Sequence, residues 1–387
     1  MAERILLCLC HMSGNEMKYI NEAFADNWVV PLGPNVNGFE KDLERFFLGT
    51  DTTHCIVALS SGTAAIHLAL VALGIGPGDE VMVQSFTFSA SANPVKYVGA
   101  TPVFVDSEPE TWNMDPNLLD RAIADRIAKT GKKPKAIIPV YLYGMPAKID
   151  EILAVGRKWD IPVVEDSAEA FGSRYKNRYC GTFGRYGILS FNGNKMITTS
   201  GGGALICPDE EAARLVTNYA TQSREATPWY QHERLGFNYR LSNISAGIGR
   251  GQMTIAEEHI AHHRGVQRQY RKLFADLPGI QLHENPGPDF DSNFWLCAIT
   301  FGPDIKVKGD DGCGRPEAMR RALEKENIET RHLWKPMHLQ PYFADAPSYV
   351  NGVSEDLFSR GLCLPAGPYV GEKEAERVVA AIAGAIE

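Results

Sequence analysis

Apolar and polar positions along this chain keep two rhythms. Val81–Phe88, Ala136–Val140, Ile161–Val164 and Gly187–Phe191 are short, largely apolar runs bounded by turn-forming residues. Runs of that length suit strands buried on both faces. Between them, Ala64–Leu73 and Leu118–Ile127 read as helices. Strand and helix in alternation predict βαβ units, hence an α/β fold with a mainly parallel central sheet flanked by helices. Ligands of such sheets sit beyond the carboxyl ends of the strands, and chemistry is sought there.

Proline is absent from Asn243 to Leu277, and Ile260, Val266, Tyr270, Leu273 and Phe274 recur at near-helical spacing. This predicts one long helix leading out of a large first domain, residues 1–255. A smaller α+β domain is expected over residues 256–387. The polar, glycine-rich stretch from Gly302 to Pro316 reads as a surface loop.

Composition narrows the function classes. The 387 residues are 44% apolar and 22% charged, ordinary for a soluble globular protein. A formal net charge of −8 argues against a general nucleic-acid or anionic-membrane surface. The eight cysteines are scattered with no CxxC pair, which favours reduced thiols over a disulfide framework or a zinc site. Cys8-Leu9-Cys10-His11 lacks the two-residue gap of a haem-attachment motif. His259, His262 and His263 have no carboxylate at ligand spacing, so they are expected to be solvated helix residues and no metal is expected. The six apolar residues from Ile5 to Cys10 are too few for a signal core, and no run approaches the ~20 residues of a membrane helix. A cytoplasmic protein is expected.

Three local features carry chemistry. Ser190-Phe191-Asn192-Gly193-Asn194-Lys195 follows an apolar strand and leads into a Thr-, Ser- and Gly-rich turn. A lysine at a strand end, partly desolvated, suits an amine nucleophile, although a solvent-facing lysine fits the same turn. Ile161–Asp166 is an apolar strand ending in a carboxylate, which could hold a cofactor's pyridinium nitrogen protonated or simply cap a helix. Ser60-Ser61-Gly62-Thr63 opens an apolar helix, whose free N–H groups could hold a phosphate.

Taken in order, Ser-Gly-Thr, Asp and Ser-x-x-x-x-Lys resemble the fold-type I aminotransferases, and more narrowly the DegT/DnrJ-type sugar aminotransferases. The blocks that carry the resemblance include SSGTAAIHLAL (60–70), SFTFSASAN (85–93), VVEDSAEAFGS (163–173), SFNGNKMITTSGGG (190–203), GFNYRLSNI (236–244) and RHLWKPMHLQP (331–341). They run along nearly the whole chain and are most similar to enzymes that aminate carbon 4 of UDP-4-keto-6-deoxy-N-acetylhexosamines.

The resemblance implies pyridoxal 5'-phosphate (PLP, alternating with its pyridoxamine form) as cofactor. It implies an amino-acid donor, glutamate, a nucleotide-linked keto-sugar acceptor, and a role in bacterial surface glycan synthesis. Lys195 would form the Schiff base and shuttle the proton, with Asp166 on the pyridine nitrogen. Gly62, Thr63 and Ser190 would hold the phosphate, and Phe88 would stack on the ring. Glu169 stands where many relatives carry Gln or His, beside the ring hydroxyl or the sugar. Trp334, Lys335 and His338 would face the nucleotide sugar. Asn238 would reach the phosphate of a neighbouring subunit, which implies a homodimer with shared sites. Tyr141 departs from the His that relatives often carry. The alternatives are a dTDP- or GDP-linked or 3-keto acceptor, a pyridoxamine-dependent dehydratase, which Lys195 argues against, and a non-catalytic regulatory relative.

Overall fold

The computed structural model describes residues 3–51 and 53–387. Eight strands form one continuous sheet in the spatial order Cys55–Leu59, Gly203–Cys207, Tyr186–Ser190, Val164–Asp166, Ala136–Ile138, Glu80–Gln84, Thr101–Val105 and Ser348–Tyr349. The two halves join through parallel bridges, Ile137 to Val163 and Val140 to Asp166. Only Gly203–Cys207 runs antiparallel to its neighbours, so the sheet is mainly parallel as expected. Side-chain alternation explains the continuous apolar runs. Val81, Val83, Phe104 and Ile138 serve the core on one face, and Met82, Val103, Val105 and Ile137 serve the core on the other.

Helix Gly62–Ala72 is apolar all round because it is buried all round, from Ala64 to Leu70. Its first turn lies just after strand Cys55–Leu59, at the edge of the sheet where the strand ends gather. The run from Val81 to Phe88 holds strand geometry only to Gln84; beyond it, Thr87 and Phe88 line the cavity described below.

The long helix expected after Asn243 is two helices, Asn243–Met253 and Ala256–Phe274. Thr254 breaks it: its Oγ1 donates to Gly251 O at 2.6 Å and accepts from Asn15 Nδ2 at 2.9 Å. Ile255 then takes a non-helical φ of −127°. A hydroxyl competing for the carbonyl ladder is a known way to bend or end a helix.

Two of the three histidines of the second helix also differ from expectation. His259 and His263 are buried on its inner face. His259 lies 2.8 Å from His11 through its Nε2 and 3.3 Å from Met196 O through its Nδ1. His263 Nδ1 lies 3.2 Å from Phe294 O, and burial pushes its pKa down to about 3. They are neutral packing residues that tie this helix to the loop after Lys195 and to Phe294.

A second, antiparallel sheet orders Ile280–Leu282, Cys297–Phe301, Gly361–Leu364 and Arg331–His332. Helices Ala256–Phe274, Arg315–Lys325 and Glu372–Ala385 contribute Val266, Met319 and Val378 to its core. Two segments cross the expected division at 255/256. Ile5 packs into this second core and bridges Ile328, while Ser348–Tyr349 edges the large sheet. No helix among the described residues is long and apolar enough to cross a membrane.

Candidate active site

Strand Val164–Asp166 pairs in parallel with Tyr186–Ser190, and the period of two turns Glu165 and Asp166 to opposite faces. Asp166 faces a cavity of about 420 Å³. Its Oδ2 accepts from Ser91 Oγ at 2.5 Å and its Oδ1 from Ala168 N–H at 3.2 Å. Burial pushes the Asp166 pKa up, against these two donors and the charge of Lys195. Glu165 is spent elsewhere: Tyr141 Oη, Gly181 N, Phe183 N and Gly184 N all donate to it.

Lys195 follows strand Tyr186–Ser190 through a turn closed by its own N–H to Asn192 O at 2.9 Å. Its Nζ lies 4.0 Å from the Trp295 ring centroid and 3.5 Å from Glu169 Oε1. Glu169 is buried in the turn after the Asp166 strand, and its Oε2 accepts from Tyr143 N–H at 2.7 Å. Burial pushes its pKa up, while the Lys195 charge and the Tyr143 N–H pull it down.

At the third corner, Ser61 caps helix Gly62–Ala72 by accepting from Ala64 N–H at 3.0 Å. The N–H groups of Gly62 and Thr63 belong to the first turn, where the helix supplies no acceptor. Two glycines make this corner. A Cβ on Gly62 would stand 3.2 Å from Ser190 Cβ, and one on Gly203 would stand 2.4 Å from Gly62 N. Three strand ends and a helix N-terminus therefore meet at backbone contact, leaving an anion cradle with Ser190 on its wall.

Ser61, Gly62, Thr63, Asp166, Ser190 and Lys195 line one cavity, together with Glu169, Phe88 and Trp334. An amine, a buried carboxylate with spare acceptor sites and an anion cradle suit a phosphorylated pyridine aldehyde. Phe88 is more than half exposed, its ring 5.7 Å from that of Trp334 and tilted by 54°.

Other expected residues lie elsewhere. Lys335 is exposed and outside the cavity lining. His338 is held between Ser85 Oγ, 2.6 Å from its Nδ1, and Glu355 Oε1, 3.0 Å from its Nε2. Asn238 is exposed, bridged to Thr221, and does not line this chain's own cavity. Sequence reasoning missed Ser91 as the partner of Asp166, Tyr143 as the donor to Glu169, and Trp295 beneath Lys195. Ser91 lies within a quoted block and Tyr143 within none, and nothing local ties either to its carboxylate.

The model of the DegT/DnrJ/EryC1/StrS aminotransferase family matches residues 11–383. The chain is a member of that family. EpsN of Bacillus subtilis, assigned as a pyridoxal phosphate-dependent aminotransferase, is 46% identical over 98% of this chain and 95% of its own length. The GDP-perosamine synthase of Escherichia coli O157:H7 is 35% identical over 94% of this chain and 93% of its own. The crystal structure of a DegT/DnrJ/EryC1/StrS aminotransferase from Brucella abortus superposes with a TM-score of 0.87 at 31% identity, covering 96% of this chain and 95% of that one. The architecture is that of the fold-type I enzymes, and this family member is a pyridoxal phosphate-dependent sugar aminotransferase.

Proposed function

We propose that the enzyme moves an amino group from glutamate to carbon 4 of a UDP-linked 2-acetamido-4-keto-2,6-dideoxyhexose, in the cytoplasm, for a bacterial surface glycan. The observation that carries this reading is the convergence of Lys195, Asp166 and the Gly62 helix start on one cavity. Pyridoxal phosphate, when bound, supplies the electron sink. Lys195 Nζ would be its covalent attachment point, and would take a proton from the donor's α-carbon in the first half-reaction and deliver one to carbon 4 of the sugar in the second. Asp166 would keep the pyridine nitrogen protonated, with Ser91 orienting the carboxylate. Gly62, Thr63 and Ser190 would bind the phosphate, and Phe88 would cover the ring. Glu169 stands close enough to Lys195 to balance its charge. Trp334 lines the same cavity and would face the sugar.

A GDP-linked acceptor is the second reading, favoured by the 35% identity to a GDP-perosamine synthase. Incubation with glutamate and a panel of UDP-, GDP- and dTDP-linked 4-keto-6-deoxy sugars decides between them. Mass spectrometry and NMR should find the new amine at carbon 4 of the UDP sugar. Preferred turnover of another nucleotide, or an amine at carbon 3, overturns the substrate assignment.

The working unit on this reading is a homodimer. Trp229, Tyr230 and Leu235, in the loop that leads to Asn238, are strongly exposed, as are Phe24, Val29 and Leu32. Contiguous exposed apolar side chains mark interaction surfaces, and a two-fold interface would carry each Asn238 to its partner's cradle. Mixing inactive Lys195→Ala and Asn238→Asp chains should restore roughly a quarter of wild-type activity under random exchange. Confirmed exchange without recovery, or an active monomer, refutes the shared site.

A further inference from the structure

The floor under the lysine comes from a distant part of the chain. Lys195 Nζ lies 4.0 Å from the centroid of the Trp295 ring. An ammonium that close to an indole is attracted by the ring quadrupole, the more so when water is excluded. Both groups are shielded: 14% of the lysine side chain and 1% of Trp295 remain exposed. The residue is held at ring and backbone. Its Nε1–H donates to Asn194 O at 2.6 Å, and its backbone N–H donates to Asn293 Oδ1 at 2.8 Å. Cys8 Sγ donates to the same Asn194 carbonyl at 3.5 Å. Burial pushes that thiol up to about 12, so it brings no thiolate charge to the amine. The peptide that carries Lys195 is thus bonded directly to the ring beneath its amine. Glu169 Oε1, 3.5 Å from the same nitrogen, supplies the opposite charge.

We propose that Trp295 is a positioning residue for Lys195, its indole seating the Nζ ammonium whenever the lysine is not bonded to the cofactor. This rests on the reading of Lys195 as the cofactor lysine. Over the full cycle that lysine must leave the cofactor in the first half-reaction, serve as proton carrier in both and return in the second. A four-carbon stem is flexible, so a free amine would range over several ångströms. A carboxylate alone attracts it without fixing its direction, whereas a rigid aromatic surface restricts where the charge can rest.

Site-specific replacement of Trp295 by mono-, di- and trifluorotryptophan tests this, because fluorination nearly preserves shape while weakening the quadrupole stepwise. The first measurement uses apoenzyme and limiting acetic anhydride at fixed pH. Peptide mapping gives acylation of Lys195 relative to Lys176, whose side chain is half exposed. Acylation requires the unprotonated, unseated amine, so the ratio should rise with each fluorine, to about tenfold for the trifluoro ring. The second measurement is the rate at which apoenzyme recaptures pyridoxal phosphate, followed by its visible band, and it should change in the same graded order. A flat series in folded protein overturns the proposal, because a purely structural tryptophan tolerates fluorine without a trend. Borohydride reduction of the wild-type holoenzyme separates the two readings. Cofactor mapped to another lysine defeats both, whereas cofactor on Lys195 with a flat series defeats only the role of Trp295.

Discussion

Glu165 and Asp166 are neighbours on one strand, both buried and both with pKa values raised by desolvation, yet they serve opposite sides of the sheet in opposite ways. A carboxylate offers about four acceptor sites. Four donors converge on Glu165, three of them backbone N–H groups of the turn from Gly181 to Gly184. Its capacity is used up in holding that turn. Asp166 receives two donors and faces a cavity. The same functional group is a structural clasp where its partners are complete and has acceptor sites free for a ligand where they are not. The number of acceptor sites left over, more than burial or pKa, separates the two roles.

That comparison can be broken at several points. The largest effect is expected on the cavity side: Lys195→Ala should lower transamination by at least about 10³-fold, through loss of the nucleophile and proton carrier. The thermal midpoint should stay near wild type, since the side chain fills no core cluster. Asp166→Asn comes next. Its one carbonyl oxygen can keep the Ala168 N–H, and its –NH₂ can donate to a Ser91 hydroxyl turned to accept, but the amide carries no charge, so both half-reactions should slow by about 10²- to 10³-fold. Stopped-flow spectra of each half-reaction give the measurement. Near wild-type rates would make Asp166 a second clasp and erase the distinction.

Glu165→Gln should do the reverse. A glutamine points an –NH₂ at donors that need an acceptor, which costs about 1–3 kcal/mol of stability. Calorimetry should find a Tm lowered by about 1–4 °C, with turnover per folded enzyme unchanged at low temperature. Loss of turnover without loss of stability would place Glu165 in the chemistry. Ser91→Ala sharpens the cavity side. Ser91 opposes the burial that raises the Asp166 pKa. Without the hydroxyl, Asp166 should protonate at a higher pH, so the acidic limb of kcat should move up and the plateau fall about tenfold. A limb that stays in place would mean that Ser91 does not tune the carboxylate.

What the sequence disclosed follows the same division. Lys195, Asp166 and Gly62 were legible because each sits at a strand end or helix start whose local pattern predicts its surroundings. The strand alternation was legible because burial on both faces leaves an apolar run. Ser91 and Trp295 were not, because each meets its partner across a long stretch of chain: Ser91 and Asp166 are 75 residues apart. The buried histidines were misread for a related reason. A polar side chain on an amphipathic helix looks solvated until the carbonyls that receive it, Met196 O and Phe294 O, are known. Thr254 is an unremarkable helix residue until Asn15 arrives to hold its hydroxyl.

The smallest effect is expected at Tyr141, the one side-chain donor to Glu165. Burial and the adjacent carboxylate push its phenol well above the usual range, so it remains a donor at every pH where the protein is handled. Tyr141→Phe removes that hydrogen bond and leaves three N–H donors in place. Because Glu165 remains largely satisfied, the loss should be about 1 kcal/mol, the net worth of one hydrogen bond. In a chain of this length that is a Tm shift of only about 1 °C, resolved by paired calorimetric scans. The shift should not vary between pH 6 and 8, since the phenol does not titrate there, and kcat should not change. If Tyr141→Phe instead lowered kcat with little change in Tm, the influence of this side of the sheet would reach through the strand to Asp166, and the separation between clasp and binding group would fail.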